Sequence, residues 1–116
     1  MANKKTFSHV LCGKRYRIKL VPPSVLNKKP DGDQVTVGLC DPPNKKDKLI
    51  QIDNTLSGLD KLEIIAHEAW HGLSWSSSEE WVDQSAKDVS SLLWKMGYRQ
   101  IDELIEEGWT PPNENV

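Results

Sequence analysis

The chain has 116 residues, of which 28% are Asp, Glu, Lys or Arg, and its formal net charge is -2. That length suits a single domain spanning residues 1–116 with a modest core. The charge balance argues against nucleic acid or an anionic membrane as an obligatory partner. No stretch approaches the ~20 apolar residues of a membrane span. The first nine residues lack the apolar run of a signal peptide, and the two cysteines, Cys12 and Cys40, suit reduced thiols. The expected location is therefore cytoplasmic.

In chain order, residues 1–13 read as irregular. Tyr16 to Val21 alternates and is β-branched enough for a strand, stopped by Pro22-Pro23. Residues 28–33 form a turn-rich loop. Gln34 to Cys40 reads as a second strand, ended by Asp41-Pro42-Pro43-Asn44, and Leu49 to Ile52 as a third. A helix is expected from Leu59 to Leu73, opened by a capping box of Asp60 and Glu63 and stopped or kinked at Gly72. Its core stripe would be Leu62, Ile65, Ala66, Ala69 and Leu73. A second helix runs from Glu79 to Met96, with Val82, Ala86, Val89, Leu93 and Met96 as the apolar stripe and Gly97 as the C-terminal cap. A short third helix is expected from Ile101 to Glu107, and residues 110–116 read as a frayed tail. The fold class is α+β: an antiparallel sheet of about three strands packed on two main helices.

The chemistry lies in the first long helix. His67-Glu68-Ala69-Trp70-His71 is an H-E-x-x-H pattern. Residues four apart in a helix share a face, one turn apart, so the two imidazoles can hold one zinc ion. Glu68, one step round, can act as general base toward a water on the metal's open side. The bland reading is a helix with two half-exposed His and a solvated Glu. The adjoining apolar stripe disfavours it, because it turns this part of the helix toward a core.

A catalytic zinc normally takes three protein ligands. Glu79, Glu80 and Asp83 are the nearby carboxylates. Glu79 lies three residues before Val82, on the inward phase of the second helix, where an unpaired carboxylate would be costly. It is therefore placed ahead of Glu80. Asp83, one turn on, would orient a ligand histidine as its outer partner. Capping boxes at Ser76–Glu79 and Ser77–Glu80 are the structural alternative for the acids. A second metal site from His9, Cys12, Cys40 and Asp41 is a weaker reading.

The segment Leu62-Glu63-Ile64-Ile65-Ala66-His67-Glu68-Ala69-Trp70-His71-Gly72-Leu73 resembles the active-site helix of zincin metallopeptidases. The wider stretch from Leu49 to Arg99 looks like small zincin-like domains often encoded by phages, akin to the ImmA/IrrE-like and SprT-like cores. The resemblance implies a gluzincin-like zinc metallopeptidase, acting on a peptide or protein in the host cytoplasm if phage-encoded. Glu79 and Asp83 match its Glu-x-x-x-Asp spacing. It also implies that the strand before the zinc helix, Leu49 to Ile52, is an edge that pairs with extended substrate. Tyr98 and Arg99 are candidates for stabilising the oxyanion. The rival readings are a catalytically silent binding or virion-associated module, and a DNA-linked regulatory protease. The basic clusters at Lys4-Lys5, Lys14 to Lys19, Lys28-Lys29 and Lys45 to Lys48 read first as solvated strand edges and loops, and second as a local basic face.

Overall fold

A computed structural model describes residues 6–27, 35–101 and 108. The fold is α+β. Strands β1 (Thr6–Leu11), β2 (Lys14–Val21), β3 (Gly38–Cys40) and β4 (Lys48–Asp53) form one sheet, in the order β1-β2-β4-β3. A single helical turn, α1 (Pro23–Leu26), follows β2. Two long helices, α2 (Gly58–Leu73) and α3 (Glu79–Lys95), complete the described chain. No helix among the described residues is long and apolar enough to cross a membrane.

The sheet departs from expectation in three ways. Residues 6–11 are a strand, not irregular. β1 and β2 form a hairpin whose turn, Cys12-Gly13, takes φ of 48° and 76°. Positive φ at both central residues matches the right-handed twist of the paired strands, and only Gly13 adopts it without cost. Second, the sheet has four strands and is mixed: β2 and β4 run parallel, while β1–β2 and β3–β4 are antiparallel. The long excursion between β2 and β4 permits that crossover, and β3 is laid down within it. Third, β4 is an interior strand, flanked by β2 and β3. Residues 49–52 are therefore no free edge; the edge on this side of the sheet is β3. The second expected strand is shortened to Gly38–Cys40, and its predicted start at Gln34 lies outside the described residues. So do the 28–33 loop, the expected third helix beyond Ile101, and the tail.

The core is Leu11, Tyr16, Ile50 and Ile52, with Ile64, Ala69 and Leu73 of α2 packed onto it. Full burial of an aliphatic side chain such as Ile52 contributes about 1.5–3 kcal/mol. The line of α2 pressed hardest on the sheet is Ile64, Glu68 and Gly72, whereas Ile65 of the expected stripe is 39% exposed. Gly72 does not stop the helix. It lets α2 approach the sheet, since a methyl group there would lie 2.8 Å from Leu11 Cδ1 and 3.5 Å from the Tyr16 ring. Ser74 closes the helix instead, and Ser57, without a side-chain bond, precedes it in place of the expected Asp60 box.

Helix α3 buries Val82, Ala86 and Ser90. Val89 and Met96, expected in that stripe, are exposed, because the i, i+4, i+8 line wins over the i+3 alternation against α2. Gly97, with φ of 95°, ends the helix as predicted: its N–H donates to Trp94 and that of Tyr98 to Leu93.

Candidate metal centre

Three short steps of local structure assemble the site. α2 carries His67 and His71 one turn apart. Residues 74–78 then reverse the chain in a tight corner, in which the Ser77 N–H donates to the Ser74 carbonyl at 3.1 Å and the two hydroxyls meet at 2.7 Å. Ser78 caps α3 by accepting the Trp81 N–H at 3.2 Å. Neither Ser76 nor Ser77 is the cap, so the capping boxes weighed as the structural alternative are not formed. Glu79 becomes the first residue of α3, where acids suit the helix dipole.

His67, His71 and Glu79 converge. The two Nε2 atoms are 3.2 Å apart. Glu79 Oε1 lies 2.8 Å from His67 Nε2, and Oε2 lies 3.0 Å from His71 Nε2. The two rings can each donate an Nε2–H to its own carboxylate oxygen, and one shared cation can equally hold all three side chains. Two nitrogens bound to one zinc at ~2.0–2.1 Å and a tetrahedral angle lie about 3.3–3.4 Å apart, close to the separation found. Two nitrogens and a carboxylate oxygen are also a donor set that suits zinc. Among the described residues this is the single group of three such side chains within reach of one ion.

The Glu79 side chain is two-thirds exposed. Desolvation therefore does not force a partner on it, contrary to the burial argument from helical phase. Glu80 is also exposed and lines no part of the cleft. Asp83 Oδ1 sits 3.7 Å from His67 Nδ1, too long for a hydrogen bond, while Oδ2 holds Lys87 Nζ at 3.0 Å. It faces the ring nitrogen expected of an orienting partner but does not grip it.

Glu68, one step round the helix, lies in the seam between α2 and β3 and is 7% exposed. Burial pushes its carboxyl up from 4.5 to about 7; His67 pulls against that shift and Glu79 adds to it. Gly38 is what makes room, since a methyl group there would fall 2.9 Å from Glu68 Oε2. The sequence offered one signal for this contact: a glycine inside a predicted strand often marks a close approach. Beside it, burial raises the Cys40 thiol to about 12, with the Glu68 charge adding to the effect.

These groups line an open cleft of about 660 Å3 between β3 and the helical corner. Residues 35–40 form one wall, and Trp75, whose ring centroid is 6.1 Å from that of His71, stands on the other. Tyr98 and Arg99 do not belong here. Arg99 stacks on Trp94 at 3.4 Å, and both residues line a separate groove with Gly58 and Lys61, at the far end of α2. His9 and Cys12 are exposed on the β1–β2 hairpin and form no second cluster with Cys40 and Asp41. Compared with family models, curated proteins and solved structures, the chain matches none.

Proposed function

We propose that this chain is a zinc-dependent peptidase in which His67, His71 and Glu79 hold the metal and Glu68 is the general base. The convergence of three donors on one point, beside a buried carboxylate, carries the reading. A zinc bound there supplies Lewis acidity toward a peptide carbonyl and a water molecule. Glu68 accepts a proton from the attacking water and passes it to the departing amine. Its nearly dry seam favours that role, because a carboxyl with a pKa near neutrality can both take and return a proton. Asp83 places a negative charge 3.7 Å from His67 Nδ1 without a hydrogen bond to it.

The substrate side is supported by β3. The Asp53 N–H donates to Val37 and the Asp41 N–H to Leu49, so Val37, Leu39 and Asp41 use their backbone groups toward β4. Antiparallel alternation turns those of Gly38 and Cys40 outward, along the cleft wall. An extended peptide can add to this edge as a further strand and bring a carbonyl over the histidines. A reducing, cytoplasmic setting accords with two free thiols.

The test is hydrolysis of an unfolded protein such as casein by the zinc-loaded chain and its Glu68→Gln variant. The variant should keep its zinc and lose turnover by about a thousandfold or more. Equal turnover in the two proteins would remove Glu68 from the reaction.

A further inference from the structure

The net charge of -2 conceals a division. Residues 1–53 carry eleven Lys and Arg against five Asp and Glu; residues 54–116 carry four against twelve. All four strands lie in the first set, and both long helices in the second. The strands themselves carry five Lys and Arg against one Asp, and the two long helices three against seven Asp and Glu, so a basic sheet stands against an acidic helical hairpin.

The pleat of β2 concentrates the basic charge. Tyr16, Ile18 and Leu20 join the core under α2, so Arg15, Arg17 and Lys19 face the opposite side. Arg15 and Arg17 are exposed and Lys19 is half-buried. Their neighbours across β1 are Val10, Ser8 and Thr6, and across β4, beside Arg17 and Lys19, are Leu49 and Gln51. Arg15 donates to Ser8 Oγ at 2.8 Å. Among the described residues no carboxylate pairs with any of the three cations.

We infer that this face binds the phosphate backbone of duplex nucleic acid, without reading its sequence. Alternate residues of a strand repeat every ~6.6 Å, a pitch comparable to that of successive phosphates along one nucleic-acid strand. Two of the three cations are arginines, whose planar fork matches phosphate oxygens. The acidic hairpin is repelled by the same polyanion, so the field of the whole molecule presents the sheet first. No aromatic side chain lies in the row: Phe7 and Tyr16 belong to the other side of the pleat. Base stacking, the usual attraction for single strands, is thus not supplied. This inference is independent of the peptidase reading and survives its failure.

Fluorescence anisotropy of a labelled duplex of about 20 base pairs, titrated with the full chain at about 25 mM salt, tests it. Saturable binding is expected, equal for unrelated sequences. Its logarithm should fall with the logarithm of salt at a slope of about -2 to -3, as two or three phosphate contacts require. The triple variant Arg15→Gln, Arg17→Gln, Lys19→Gln should bind at least about tenfold more weakly while melting at the parent temperature, and Lys95→Gln, on α3, should bind as the parent does. Absence of binding at low salt, unchanged binding by the triple variant, or binding to phosphatidylserine vesicles in place of the duplex would each overturn it.

Discussion

Gly38 and Glu68 occupy one another's space: the carboxylate of the helix fills the volume that a side chain on the edge strand would need, with Oε2 2.9 Å and Cγ 3.0 Å from the site of a Cβ. The second neighbour, Ile64 Cγ2, is also at 3.0 Å. Gly38→Ala must therefore move Glu68, Ile64 or the strand. The expected cost is about 1–3 kcal/mol of stability, as for other overpacked sites. Zinc content should be unchanged while casein hydrolysis falls. In a Glu68→Asp background, where the carboxylate retracts, the same substitution should cost less. Chemical denaturation of the four proteins measures this coupling, and strictly additive costs would show that the two residues do not compete for space.

Gly72 marks the other close contact of α2. Alanine is the better helix former by about 1 kcal/mol. Here its methyl group would meet Leu11 Cδ1 at 2.8 Å. Packing should outweigh propensity, so Gly72→Ala lowers the melting temperature, and adding Leu11→Val restores part of it. A rise in melting temperature for the single variant would mean that α2 stands farther from the sheet.

The Glu68 carboxyl makes the metal-free protein sensitive to pH. Its folded pKa, about 7, lies above the ordinary 4.5 of the unfolded chain. The fold holds the proton more tightly, so its stabilising effect is complete below about pH 4.5 and is lost as pH rises toward 7. The loss is on the order of 3 kcal/mol. Glu68→Gln cannot ionise. With chelator present, the variant should gain on the parent between about pH 4 and pH 8 and then level off. Urea denaturation across that range checks it; a difference between the two proteins that is constant with pH would contradict it.

How much of this was legible in the sequence follows from which forces are local. The long helices were, because apolar spacing and the Gly97 cap act within a few residues. His67 and His71 share a face through helical geometry alone; the phase of α3 relative to Val82 singled out Glu79, but the burial it implied is absent, since that side chain is two-thirds exposed. The sheet was less legible. β1 has an exposed pattern on both faces except at Leu11, so nothing in its alternation announces a strand; its pairing with β2 defines it. The crossover that puts β4 inside and β3 at the edge is a long-range choice, which moved the candidate peptide platform from residues 49–52 to Gly38–Cys40. For Glu68, the position one step round from the histidines was legible, and its burial was not. Its burial depends on the strand opposite, and a glycine there was the one local trace of it.

The metal is the centre of the account, and zinc content after purification without added metal tests it most directly. Elemental analysis by mass spectrometry should find about one zinc per chain in the parent and none in the double variant His67→Ala, His71→Ala. Glu79→Ala should lose most of its zinc, Asp83→Ala should bind it at most about tenfold more weakly, given its 3.7 Å separation from His67 Nδ1, and Glu80→Ala should match the parent. A parent free of zinc even after incubation with the ion, or a double variant as fully occupied as the parent, would contradict the assignment.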